Sequence, residues 1–389
     1  MTQSRSEPSG APAIPEPILG IPRAQTGDTL AVMFLRQGGQ PAETAAEAIA
    51  AFISAARTSL DIAIYDCRLS KGPASLIRQA LQGRVKAGVT IRLVFDNSRA
   101  KPQTGADLDV SGGDTTPQDT KERVAELGLD DALVRPVHAF RGLMHHKYMV
   151  RDDEAVWTGS LNWSDDSMTR MENIALSLSS AKLAALFRRD FEQLWNRGDI
   201  LESGAFPTDP DLLRFAGTDA LTDVDFSPGQ GEQINQWVAN RVLSARKRIV
   251  VCSMLLNSSQ LLRALLTQLD RGEVEMWGVY DETQMQGVLH QWRQDGRLAW
   301  KIAAVERVIR EAKLAGKRST PYRPDSIHDF MHNKTLVIDD TVVTGSYNLS
   351  HAAEGNAENM LAIENQALAA LVVAYVTSLA AGFARDGHT

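Results

Sequence analysis

Cysteine is scarce: Cys67 and Cys252 are the only two in 389 residues, and each directly follows an apolar run. Thiols in that setting are expected to be buried and free, which excludes a disulfide framework and gives no sign of an oxidising compartment. Positive charge is short as well. With 41 Lys and Arg against 48 Asp and Glu, the formal net charge is −7, so no global positive field recruits nucleic acid and only a local basic patch would serve. No stretch of about 20 apolar residues meets the eye, so no transmembrane segment is expected. The N-terminal MTQSRSEPSGAPAIPEP lacks the charged start and continuous apolar core of a signal peptide. A soluble, cytoplasmic protein is the expectation.

What is present is a duplication. Apolar residues are 43% of the chain, enough to fold, and the length exceeds what one core usually supports, so two domains are expected. Residues 1–27, rich in Pro, Ser and Gly, read as a flexible leader. Two segments then run through the same landmarks. Each opens with a short apolar strand and a Gly-containing turn, AVMFLRQGG at 31–39 and VDFSPGQG at 224–231, followed by a helix over 43–57 or 232–246. A β-branched run comes next, LDIAIYD or RIVVCSM, then a helix over 73–87 or 258–271, then a strand, VTIRLVFD or VEMWGVYD. Strands alternating with helices imply an α/β fold: two tandem domains related by a pseudo-twofold, each a mixed, mainly parallel sheet flanked by helices. The domains are expected at 28–200 and 224–389, joined by a linker at 201–223 that carries Pro207, Pro210 and several Asp. The halves diverge at 97–120, a polar loop, where the second half has instead a helical, basic stretch at 303–323.

They converge again on an H-x-K-x4-D motif: His145, Lys147 and Asp152 in the first half, His332, Lys334 and Asp339 in the second. Side chains two apart on a strand share a face, so H-x-K sets an imidazole beside an ammonium, a geometry suited to phosphate. Asp152 and Asp339 fall where the strand turns back and are expected to brace that turn. Each motif is followed by Gly-Ser-x-Asn, with Ser160 and Asn162 in one copy and Ser346 and Asn348 in the other. At a strand-to-helix junction, small residues bring backbone N–H groups close to an anion, and Ser and Asn side chains add donors. A Glu-Asn pair closes each copy. The position of Glu172 and Glu358 suits a carboxylate orienting the histidine of its copy, the base-and-orienter arrangement of a triad with His as nucleophile.

These paired motifs resemble the phospholipase D superfamily, and the resemblance covers residues 31–360. It implies two phospholipase D-like domains whose motifs meet at a pseudo-twofold axis to form one site. It further implies that His145 attacks phosphorus to give a phosphohistidine while His332 protonates the leaving oxygen. Lys147, Lys334, Asn162 and Asn348 would hold the non-bridging oxygens, with Glu172 and Glu358 as orienters. Water or an alcohol would resolve the intermediate, and no metal or other cofactor is required. One chain holds both motifs, so a monomer suffices for a complete site.

The substrate this resemblance implies is a phosphodiester, either a phospholipid with peripheral membrane contact or a nucleic acid. Acidity favours lipid; the basic run Arg307, Arg310, Lys313, Lys317, Arg318, Arg323 just before the second motif favours a nuclease. A phospholipase D-type activity is the expectation, a nuclease the alternative, and a scaffold that binds nucleic acid or membrane with incidental catalysis the third. His146 alternates to the face opposite His145 and is expected to pack. His328 and His332, four apart, are read as a metal pair only if helical, and the motif places His332 on a strand instead.

Overall fold

The computed structural model describes residues 27–98, 117–140, 142–323 and 326–386. The expected leader, apart from Gly27, and most of the 97–120 loop lie outside these residues. The first half supplies strands β1 (Leu30–Leu35), β2 (Ser59–Ile64), β3 (Cys67–Arg68), β4 (Thr90–Asp96), β5 (Val134–Val137), β6 (Lys147–Arg151), β7 (Ala155–Gly159), β8 (Trp163–Ser164) and β9 (Asn173–Ser179). Its helices are α1 (Ala42–Ser54), α2 (Lys71–Lys86), α3 (Pro117–Ala125), α4 (Asp165–Thr169) and α5 (Ala181–Arg197). The second half supplies β10 (Asp211–Phe215), β11 (Thr218–Ser227), β12 (Arg248–Ser253), β13 (Glu275–Asp281), β14 (Leu314–Lys317), β15 (Lys334–Ile338), β16 (Thr341–Gly345) and β17 (Glu358–Glu364). With them come α6 (Gly231–Ser244), α7 (Ser259–Arg271), α8 (Glu282–Trp292), α9 (Ala299–Glu311) and α10 (Gln366–Asp386).

The first sheet runs β1-β9-β7-β6-β2-β4-β5 and the second β10-β11-β17-β16-β15-β12-β13-β14. Strand for strand the orders are the same, with β10 added at the edge of the second. The α/β class and the duplication stand, but the expected mainly parallel pairing does not. Within these two sheets, among the described residues, only β2-β4-β5 and β12-β13-β14 are parallel, as is the separate two-stranded pair β3-β8; the hairpins β6-β7 and β15-β16, and the strands beside them, pair antiparallel. The motif strand is followed by a tight turn, and a tight turn can only join antiparallel neighbours.

The segment 201–223 is likewise not a linker. It holds β10 and the start of β11, whose alternate residues Leu213, Phe215, Ala220, Thr222 and Val224 are buried, the period of a half-buried strand. The Thr29 amide bonds to the Arg214 carbonyl at 3.0 Å, so this hairpin also touches the first half.

Both faces of the first sheet are covered. Leu60, Ile62, Ile64, Leu93 and Met149 pack towards α1 and α2. Ala63, Val94, Tyr148 and Val150 turn the other way, into a core shared with Phe187, Phe191 and Leu194 of α5. That core continues into the second half through Phe226, Val250, Cys252 and Leu361 and through Leu368, Val372 and Val376 of α10. Ser180 caps α5, accepting the Leu183 amide at 3.0 Å, and left-handed Gly198 ends it. Cys67 and Cys252 are buried and free.

Helix α10 corrects one expectation. Over Gln366–Ala384 it has no charged residue and is long and apolar enough, by length and composition, to cross a membrane. Its many alanines hid it from a search for bulky apolar runs. In this fold Leu368, Val372, Val376 and Leu379 are buried at helical spacing, while Ala370, Thr377, Ala381 and Ala384 face outward.

Candidate active site

Both motif histidines sit at the mouth of a central strand, and the same device holds each one there. The carboxylate of Asp96, at the end of β4, accepts the Met144 amide at 2.8 Å and the Ser98 hydroxyl at 2.6 Å. Asp281, at the end of β13, accepts the Met331 amide at 2.9 Å and the Ser319 hydroxyl at 2.7 Å. In each half a buried carboxylate thus fixes the backbone immediately before the histidine. Burial pushes Asp96 up to about 6, against the pull of Ser98 and the Met144 amide. These aspartates were not among the expected site residues, although the repeated endings VFD and VYD were the signal for them.

Lys147 and Lys334 open β6 and β15, and each ammonium turns back onto the carbonyl of its own histidine, at 2.6 and 2.8 Å. Lys147 also lies 4.9 Å from the centre of the Tyr65 ring, which packs edge-on against His145.

The two histidines are oriented differently. Glu358 reaches across from the second half, and His145 Nδ1 meets its Oε2 at 2.7 Å with both side chains fully buried. The crossing is reinforced by backbone: the His145 amide donates to the Ala357 carbonyl at 2.9 Å and the Ala357 amide to the Leu143 carbonyl at 2.8 Å. Asn356 holds the other oxygen of Glu358 at 3.1 Å. The carboxylate that orients His145 therefore comes from the opposite copy, not from its own. Glu172 does not orient either histidine. Its carboxylate takes the Lys317 ammonium at 2.5 Å and the Gln37 amide at 3.2 Å, and His332 Nδ1 meets the Asn173 side-chain oxygen at 3.0 Å instead.

Burial first, then Lys147 and Lys334, depress His145 well below the usual histidine range. Burial, Lys334 and Lys147 do the same to His332. Both ammonium groups act on both rings, so the four side chains share one cluster. A neutral His145 that donates Nδ1–H to Glu358 carries its lone pair on Nε2, and that buried nitrogen has no protein partner.

In Gly-Ser-x-Asn, each residue type has a distinct reason. Gly159 and Gly345 have φ of 141° and 143°, and a Cβ on either would collide with the carbonyl oxygen of Ile174 or Asn359. The serines were expected to donate to substrate but are spent on the fold. Ser160 Oγ donates to Asn173 at 2.7 Å and accepts the Ile174 amide at 3.1 Å; Ser346 Oγ accepts the Asn359 amide at 2.9 Å. Through Asn173, Ser160 still steadies His332. Asn162 and Asn348 are 5% and 4% exposed, and the side-chain oxygen of Asn162 is buried without a protein partner.

Asp152 and Asp339 brace the turn, as expected. Both adopt left-handed φ, 56° and 53°, which Asp tolerates better than most residues. The Asp152 carboxylate accepts the amides of Arg57, Thr58 and Ser59 at 3.0, 2.7 and 3.1 Å, and Asp339 those of Arg246, Lys247 and Arg248 at 3.0, 2.7 and 3.1 Å. Burial works against ionisation at both, but the amides outweigh it and hold both carboxyls below the usual range. Their stabilisation is therefore complete above the unfolded value of about 3.9 and fades as pH falls through the lower folded one. Asp152→Asn is expected to cost about 2 kcal/mol at pH 7 in urea denaturation and to flatten the stability loss below about pH 4. An unchanged acid limb would contradict the brace.

The remaining expectations resolve locally. His146 packs, as expected: it is fully buried, with Nε2 3.0 Å from Asp190. His328 Nε2 lies 3.1 Å from the Arg323 carbonyl, and the ring stacks on Phe330. Among the described residues, no group of three or more His, Cys, Asp or Glu is arranged to hold a metal ion. The basic run is not a continuous patch: Arg307 pairs with Asp270 and Glu311, Arg310 with Glu311, Arg318 with Glu282, and Lys317 is buried.

A family model described as "Cardiolipin synthase, PLD-like domain" matches residues 49–195 and 238–380. The mitochondrial cardiolipin hydrolase of Chlamydomonas reinhardtii is 27% identical over 145 residues, 37% of this chain and 55% of that protein. That of Xenopus tropicalis is 37% identical over 67 residues, 17% of this chain and 31% of that protein. The chain thus matches about half, or less, of the length of these curated relatives. In fold, it is similar to the phosphatidylserine synthase of Haemophilus influenzae Rd KW20, with a TM-score of 0.62 and 15% identity over 90% of this chain and 86% of that one. Each segment matched by the family model contains one H-x-K-x4-D and one Gly-Ser-x-Asn, and the chain belongs to the phospholipase D superfamily.

Proposed function

We propose that this protein cleaves phospholipid phosphodiesters by a covalent two-step route. The observation that carries the proposal is His145: buried, its Nδ1 on the Glu358 carboxylate, its Nε2 unpartnered, with Lys147, Lys334 and His332 around it. In the first step His145 Nε2 forms a bond to phosphorus, the P–O bond to the leaving alcohol breaks, and His332 gives that oxygen its proton. In the second, His332 takes a proton from water or an acceptor alcohol, whose oxygen bonds phosphorus as the P–N bond breaks. The arriving phosphodiester also prepares the acid. Its negative charge offsets Lys147 and Lys334, two causes of the low His332 pKa, so binding favours the protonated ring that the first step needs. Lys147, Lys334, Asn162 and Asn348 hold the non-bridging oxygens, where fixed donors act most strongly on developing charge. His, Lys and Asn side chains supply every role in this route, so it calls for no metal.

The lipid assignment draws on the family description and the two relatives, all of which name cardiolipin, a lipid whose headgroup is joined by phosphodiesters. The test offers cardiolipin in phosphatidylcholine and phosphatidylglycerol vesicles with some ethanol, in excess EDTA, and separately a labelled single-stranded oligonucleotide. Wild type is expected to release headgroup and to form phosphatidylethanol, and His145→Ala to do neither. Oligonucleotide cutting alone would replace lipid by nucleic acid as substrate. Loss of all activity in EDTA would end the metal-free route, and function abolished by His145→Ala with binding unchanged would dispose of the scaffold reading.

A further inference from the structure

Beside the site, the twofold is broken at the side chain of Lys317. Register equates the last residue of β5 with that of β14: Val137 pairs with Asp96, and Lys317 with Asp281. Val137 is fully buried and apolar. Lys317 is equally hidden, yet its ammonium lies on the Glu172 carboxylate and 3.1 Å from the Arg170 carbonyl. Glu172 and Glu358 are equivalent by the same logic, since each precedes the Asn that meets the Gly-Ser-x-Asn serine. Glu358 lies on His145 and orients it. Glu172 is held away, and His332 is left with the neutral Asn173 amide.

We propose that Lys317 is a positioning residue that makes the two histidines chemically unequal, reserving His145 for attack on phosphorus and His332 for proton transfer to the leaving oxygen. The inference rests on the covalent route proposed above. A carboxylate on Nδ1 makes an imidazole more basic and its Nε2 more nucleophilic, and it stabilises the positive ring of a phosphohistidine. An imidazolium held by an amide has no such counter-charge and releases its proton more readily. A buried lysine diverting one of two equivalent carboxylates is enough to give opposite roles to two copies of one motif. Because an unpaired buried ammonium is costly, the Glu172–Lys317 pair holds both partners in place.

The charged and titratable groups around His332 are Lys334 on its own strand, Lys147 and His145 from the first half, His328 from the preceding loop, and the Glu172–Lys317 pair. Among these, Lys317 differs from the residue that register places at its equivalent position, Val137. Lys317→Val, which copies Val137, frees Glu172 to reach His332. The limb of the kcat profile that requires protonated His332 should then move up by about one to three pH units. Lys317→Arg keeps a cation on Glu172 and should retain the wild-type profile, and Lys317→Val with Glu172→Gln should return to it. A folded Lys317→Val enzyme whose limb does not move would overturn the proposal.

Should Lys317→Val not fold, the wild type still decides. Turnover of bis(p-nitrophenyl) phosphate quenched in alkaline denaturant, followed by peptide mass spectrometry without acid exposure, should place the phosphoryl label on His145 and none on His332. Label on His332, or on both, overturns the assignment of roles. Turnover with no label on either histidine overturns the covalent route itself, so the two failures are distinguishable.

Discussion

Replacing His145 with Asn should lower phosphodiester cleavage by at least about 10⁴-fold and remove all phosphoryl label from the protein, because it deletes the atom that bonds phosphorus and not merely a proton carrier. Assistance by an acid or base alone is worth about 10²–10⁴-fold, so His332→Asn should be the milder variant with a leaving group that needs no proton. Glu358→Gln is the informative intermediate. It keeps a side chain of the same shape at 2.7 Å from His145 Nδ1 but removes the charge, and the comparable change in a serine-protease triad costs about 10⁴-fold by favouring the wrong tautomer. Rates of p-nitrophenolate release from an activated diester measure all three. His145→Asn turning over an activated diester within tenfold of wild type would remove it as nucleophile.

The largest expected effect on stability lies away from the chemistry, at Asp190 in α5. This carboxylate is fully buried and accepts the Tyr148 hydroxyl at 2.9 Å and the Ser203 hydroxyl at 2.5 Å, with His146 Nε2 3.0 Å away. Phe187 and Phe226 close around Tyr148 and His146. Burial and then Asp190 hold the Tyr148 hydroxyl well above its usual range, so it remains a donor. Asp190→Ala would strand three polar groups in the core between the sheets, at a cost of about 3–5 kcal/mol. Chemical denaturation measures it, and a loss under about 1 kcal/mol would show that these groups find other partners. Since His146 adjoins His145, the variant should also lose activity at temperatures where the wild type is still active.

Much of this was legible in the chain. The duplication showed because each landmark recurs in order, and the motif showed because His, Lys and Asp recur at fixed spacing within it. What escaped depended on facts that spacing does not carry. Alternation reports which face of a strand is buried but not the direction of its neighbour, so the antiparallel majority was missed. Glu172 stood where an orienter belongs, yet its partner is decided by Lys317, which looked like one more member of a basic run. Residues 211–227 alternated as a strand should, but nearby prolines and aspartates drew the reading towards a linker. Asp190 fell on the apolar face of an amphipathic helix, where only its three donors explain a charge.

The contact between His145 and Glu358 has a bearing on biosynthesis. The ribosome completes the strands that carry His145 long before it reaches β17. Until then His145 lacks the Glu358 carboxylate, and the Leu143 and His145 backbone has no partner from Ala357. A nascent chain that has made only the first half thus lacks the groups that fix His145, and the proposed site can be assembled only once β17 has been made.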